Sequence, residues 1–128
     1  MRKEIIFTEK APKPIGPYSQ AVRVGDFLFL SGMVAINPAT GKVEETDVSS
    51  QTRRIMENAR AVLEAAGLSF EHVVKATVYL ANPDDFAAMN EVYSQYFPQN
   101  PPARTTVAAH FPRKEFLVEI DFIAYVGR

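Results

Sequence analysis

"FLVEIDFIAYV", residues 116–126, alternates with a period of two, the side-chain repeat of an extended strand. Phe116, Val118, Ile120, Phe122, Ala124 and Val126 make one wholly apolar face, and Leu117, Glu119, Asp121, Ile123 and Tyr125 make the other. The first face belongs against a core. The second is too apolar to be left to water and too charged for a dry interior, so a partner chain is expected to cover it. A sheet with one face against the chain's own core and the other against a partner is expected from this segment.

The rest of the chain fits that frame. "AVRVGDFLFL" (21–30) reads as two β runs around Gly25-Asp26, where glycine supplies the positive φ of a two-residue hairpin turn. The second run continues to Ser31 and Gly32, and "NPATG" (37–41) is a loop. A helix follows, capped by Asp47 or Ser49; Ile55, Ala59, Val62 and Ala66 fall at helical spacing, and Gly67 sits where a left-handed C-terminal cap belongs. "VVKATVYL" (73–80) predicts a strand with Val74, Ala76, Val78 and Leu80 on one face and Lys75, Thr77 and Tyr79 on the other. Phe86, Met89, Tyr93 and Phe97 form a second helical stripe, ended by the prolines of "PQNPP". Residues 104–109 read as another strand. The order is β, hairpin, α, β, α, β, β, an α/β domain with a mixed sheet and two helices packed on one face, spanning residues 1–128.

Charge and composition narrow the chemistry. A formal charge of −1, with charged residues scattered singly, offers no basic stripe for phosphates, so nucleic acid is not an expected partner. The chain contains no cysteine, which removes disulfides, thiolate metal sites and a cysteine nucleophile. No stretch reaches the roughly 20 apolar residues of a membrane span, and the N-terminal "MRKEIIFTEK" lacks the apolar run of a signal peptide; a cytoplasmic protein is expected, with no membrane partner. His72 and His110 lie far apart without ligand spacing, and no metal is predicted.

Two charged residues stand out because they sit in strands. Arg104 opens one and Glu119 lies inside another, fifteen positions later. Charge in a packed strand is costly unless paired or functional, so the residues alone leave two readings: a structural Arg104–Glu119 pair, or a site in which Arg104 grips a carboxylate. Tyr18, in a Gly-Pro turn, either closes the turn or offers its hydroxyl to a ligand. Ser31 has no histidine near it in sequence and no nucleophile-elbow pattern, which leaves it a hydrogen-bonding role. Asn90, four residues after Phe86, either borders a cleft or ends the apolar stripe.

Several stretches together resemble the reactive intermediate deaminase family, often called RidA or YjgF-like: "GPYSQAV" (16–22), "LFLSG" (28–32), "NPATG" (37–41), "NARAVLEAAG" (58–67), "VVKATVYL" (73–80), "DDFAAMNEVY" (84–93), "PPARTTV" (101–107) and "VEIDFIA" (118–124). The resemblance covers almost the whole chain. It implies a chorismate-mutase-like fold, a homotrimer, and clefts between subunits that bind small 2-imino or 2-keto carboxylates. The implied activity is cofactor-independent hydrolysis of 2-imino acids such as 2-iminobutanoate and 2-iminopropanoate, derived from enamines that pyridoxal-phosphate dehydratases release, to 2-keto acids and ammonia. The arginine of the family's "P-A-R" motif, which marks deaminase-competent members, falls on Arg104. Further family site positions fall on Tyr18, Ser31, Gly32, Asn90 and Glu119. In this scheme Arg104 anchors the carboxylate, Glu119 assists water and proton transfer, Tyr18 joins them, and Ser31, Gly32 and Asn90 bind substrate.

Two departures bear on pocket polarity and substrate range. Met33 stands where the family commonly has glutamine, and the connection "VAAHFPRKEFLVEI" places its proline one position early. Competing with the enzyme are a non-catalytic trimer that binds small carboxylates, and a translation inhibitor or ribonuclease, which the net charge disfavours.

Overall fold

The structure, a computed structural model, describes residues 2–127. One six-stranded sheet runs through it: β1 (Lys3–Ile6), β2 (Ala21–Val24), β3 (Phe27–Met33), β4 (Val73–Leu80), β5 (Ala103–Ala108) and β6 (Val118–Tyr125), in spatial order β1-β2-β3-β6-β4-β5. All neighbours are antiparallel except β4 and β5. That parallel pair needs a crossover, and α2 (Phe86–Ser94) supplies it; α1 (Val48–Ala65) links β3 to β4 and packs beside α2 on the same sheet face. The expected mixed sheet with two helices on one face is what forms.

α1 has the ends its sequence predicts. Asp47 rather than Ser49 is the N-cap, its Oδ1 accepting from the Ser50 N–H at 2.8 Å. At the other end the Gly67 N–H bonds Glu64 O at 2.9 Å and the Leu68 N–H bonds Leu63 O at 2.8 Å, the reciprocal pair of a Schellman stop. Gly67 sits at φ +78°, where a side chain would strain the turn. Ile55, Met56, Ala59, Val62 and Leu63 of α1 meet Leu28, Leu30, Ala76, Val78, Ile120 and Phe122 of the sheet in a solvent-free core. Each large side chain so buried contributes about 1.5–3 kcal/mol.

Four details differ from the sequence reading. The opening strand of the predicted order is β1, to which no residues had been assigned: four residues, three of them exposed, carry too little periodicity. In β4, Val74 is exposed and Val73 takes the core side, because the register with β6 shifts between Val73 and Lys75. A bulge of this kind breaks the alternation on which the face assignment rested. The second helical stripe holds for Met89, Tyr93 and Phe97, all buried, but α2 ends at Ser94 and Phe86 is exposed at its start. The hairpin is as expected, with Val24 opposite Phe27 and Gly25 at φ +56°.

The uncovered face of the sheet is rich in apolar groups. Phe27 and Tyr125 pair across β3 and β6 with ring centroids 5.3 Å apart, and Phe29 lies beside them; all three are exposed. No helix among the described residues is long and apolar enough to cross a membrane.

Candidate active site

The sequence-predicted residues gather in two groups separated by the sheet. Register places them: Ala76 of β4 lies between Arg104 of β5 and Phe122 of β6, while Tyr79 lies between Val107 and Glu119. Ala76 and Phe122 are core residues on the helix side, so Arg104 emerges there, and Glu119 emerges on the uncovered side. Among the described residues Arg104 makes no ion pair, and the structural Arg104–Glu119 pair does not form within one chain.

On the helix side, Arg104 reaches back over α2. Its Nη1 donates to Asn90 Oδ1 at 2.7 Å, and its Cζ lies 4.9 Å from the Tyr93 ring centroid and 5.5 Å from that of Phe86. A cavity of about 400 Å³ opens beside it, lined by Asn90, Tyr93, Ser94, Phe97 and the prolines Pro101 and Pro102. Burial pushes the Tyr93 hydroxyl up to about 12, the nearby guanidinium opposing the shift only weakly. The guanidinium keeps donors that Asn90 does not use. A planar guanidinium with donors to spare has the geometry that suits a carboxylate.

The second group surrounds Gly32. The Glu119 carboxylate fills the space that a side chain at Gly32 would occupy. This explains the glycine: β3 bulges between Leu30 and Met33, and the missing Cβ admits the acid. Next to it lies a small hollow lined by Lys13, Tyr18, Gln20, Ser31, Gly32 and Met33. Tyr18 is half-exposed, and its hydroxyl accepts from the Ile15 N–H at 3.2 Å, so the ring closes its own turn while the hydroxyl keeps its proton for another acceptor. Ser31 donates to Ser19 O at 2.6 Å, which ties the 18–20 turn to β3 and leaves only acceptor capacity.

Burial, and secondarily the negative charge of Asp121, raise the Glu119 carboxyl above the usual carboxylate range. Asp121 shares its face and accepts from Tyr79 Oη at 3.1 Å. A raised acid binds its proton more tightly in the folded chain. Its stabilising contribution is complete below the unfolded value and is lost as pH rises through the folded one. Glu119→Gln is therefore expected to melt above wild type at pH 8 and to converge with it at pH 4. Melting curves at the two pH values check this; a variant less stable than wild type at pH 8 would show that the ionised carboxylate is a stabilising partner instead.

Several organising residues escaped the sequence reading. Gln20, 4% exposed, donates through Nε2 to Thr8 O, Ala11 O and Pro12 O and accepts the Thr8 N–H, folding residues 8–12 over the hollow. Gln51, 1% exposed, donates to Glu45 O and Glu115 O and accepts the Leu117 N–H, pinning the 109–117 connection to α1. Leaving any one of these groups unpaired costs about 1–3 kcal/mol. "GPYSQ" held the signal for Gln20; nothing near Gln51 marked it as buried. His72 accepts the Ser69 N–H at 3.1 Å and caps a 3₁₀ turn (Phe70–His72), and among the described residues no three His, Cys, Asp or Glu side chains cluster as metal ligands.

The fold and this distribution of residues agree with what the chain is similar to. Residues 8–126 match the family Ribonuc_L-PSP, described as endoribonuclease L-PSP. A RutC family protein of Pyrococcus abyssi is 54% identical over 125 residues, 98% of each chain. Reactive Intermediate Deaminase A, chloroplastic, of Arabidopsis thaliana is 40% identical over 124 residues, 97% of this chain and 66% of that protein. Among solved structures, E. coli TdcF with bound serine superposes with a TM-score of 0.89 at 40% identity, over 95% of this chain and 98% of that one. The chain belongs to the RidA/YjgF (Ribonuc_L-PSP) family.

Proposed function

We propose that the protein is a cofactor-independent enamine/imine deaminase that hydrolyses small 2-imino acids to 2-keto acids and ammonia. The observation that carries this reading is Arg104: a guanidinium with no carboxylate partner among the described residues, held by Asn90 at the edge of an open cavity. A 2-imino acid brings the missing anion beside its reactive carbon. The relative named a deaminase and the relative solved with bound serine, itself a small carboxylate, support the same substrate class.

Hydrolysis needs water brought to the imine carbon and a proton supplied to the departing nitrogen. Glu119, with its raised affinity for a proton, suits both duties, releasing a proton to nitrogen and accepting one from water. Tyr18, which lines the hollow at Gly32 against which the Glu119 carboxylate rests, contributes its free hydroxyl proton. Because Arg104 and Glu119 lie on opposite faces of one sheet, the complete site in this reading forms where the Arg104 end of one copy meets the Glu119 face of another. The apolar uncovered face supports an assembly of three copies, and light scattering is expected to give a trimer mass. A monomer at micromolar concentration would remove the shared site.

The test is a coupled assay in which a dehydratase makes 2-iminobutanoate from threonine and imine loss is followed with and without the protein. Acceleration is expected, and slower acceleration with Glu119→Gln at unchanged assembly. Binding of 2-oxobutanoate without acceleration would favour a carboxylate-binding trimer that does no chemistry. The family description names an endoribonuclease, but the chain's charge of −1 and lack of a basic stripe favour the small carboxylate over RNA.

A further inference from the structure

Nothing in β5 itself sets the plane of the Arg104 guanidinium. Ala103 and Thr105 are exposed on either side, and β5 has a neighbour on one edge only. The side chain is fixed from α2 instead. Phe86, Asn90 and Tyr93 stand at i, i+4 and i+7, one face of the helix, and supply an aromatic ring, a carbonyl oxygen and a second aromatic ring to the same cation. Phe86 is exposed. Tyr93 is 4% exposed and locked against Phe97, the two ring centroids 4.9 Å apart.

The Tyr93 hydroxyl finds no hydrogen-bond partner among the described residues, although it is buried. What Tyr93 offers the cation is its ring, 4.9 Å from the Arg104 Cζ, since the negative quadrupole of an aromatic face attracts a guanidinium. We infer that Tyr93 is a positioning residue whose ring, not its hydroxyl, orients Arg104 so that the donors left over from Asn90 present a two-pronged face to a carboxylate. The inference rests on the carboxylate-capturing role given to Arg104 above.

Three replacements at this one position separate ring, hydroxyl and packing. Tyr93→Phe is expected to bind 2-oxobutanoate within about twofold of wild type and to melt no lower, because only an unpaired hydroxyl is lost. Pentafluorophenylalanine at position 93 keeps the ring's shape but reverses its quadrupole, and about a tenfold weaker affinity is expected. Tyr93→Leu is expected to weaken binding at least as much. Calorimetric titration with 2-oxobutanoate, run beside melting curves, reads all three; if Tyr93→Leu does not fold, the fluorinated ring still decides. Equal affinity for phenylalanine and its fluorinated analogue overturns the inference, as does a loss with Tyr93→Phe alone that matches the others. If wild type itself binds no 2-oxobutanoate, the functional reading fails separately. Relaxation of the Arg104 Nε–Hε group then decides: ordered with phenylalanine and mobile with the fluorinated ring upholds the inference, and equal order overturns it.

Discussion

Arg104→Lys is expected to lower imine hydrolysis at least tenfold while the protein stays folded and assembled. Lysine keeps the charge and loses the plane. An ammonium on a flexible stem gives a carboxylate attraction without a fixed direction, and it cannot bond Asn90 and present a paired N–H edge together. Losing that orientation is worth roughly 2 kcal/mol or more of transition-state stabilisation. Stability is expected to change little, because no carboxylate among the described residues depends on Arg104 for neutralisation. Melting temperature and hydrolysis rate measured on the same sample separate the two effects. Normal turnover by a properly assembled variant would falsify the anchoring role.

Gly32→Ala is expected to have the larger effect on chemistry and a small one on stability. The added methyl would overlap Glu119 Oε2 and approach its Cδ to 3.0 Å. Those atoms are the far end of a flexible side chain, so the fold can yield by swinging the carboxylate away. In the proposed reaction the acid would then be displaced from water and nitrogen, and a displacement on the order of 1 Å costs about a hundredfold in rate. A melting point within a few degrees of wild type with turnover down about a hundredfold is the expected pair of results. Unaltered turnover would show that the position Glu119 now holds is not the catalytic one.

The sequence made α1 and β4 legible nearly to the residue, because each carries strong periodicity and α1 has side-chain or glycine signals at both ends. It also showed that one face of β6 is core and the other is not. What it hid was parity across strands. Arg104 and Glu119 each belong to a readable strand, but whether they share a face depends on the registers of both strands with β4, which no local pattern encodes. Val74 failed for a related reason, a one-residue register shift at the start of β4 that exchanges it with Val73 and leaves Ala76, Val78 and Leu80 on the core side as expected. The hydrogen bond that Ser31 makes within the chain, to the Ser19 carbonyl, belongs to a turn that only the folded chain brings close. The exposed Phe86 looked like the start of a core stripe because a ring that stacks on a cation and a ring that packs in oil share the same helical spacing.

The place of β6 has a consequence for how the chain is made. It lies between β3 and β4, joining two sub-sheets that contact one another through no other strand, yet it follows every strand it pairs with in sequence. During synthesis, β1–β3 and the β4–α2–β5 unit leave the ribosome with their inner hydrogen-bonding edges open, and nothing closes them until residues 118–125 arrive. A nascent or truncated chain that includes β4 and β5 but ends before Val118 leaves both of these inner edges unpaired next to apolar side chains, the arrangement that recruits foreign strands. The same segment that completes the core thus also closes the two inner edges and leaves only β1 and β5 at the rims of the sheet.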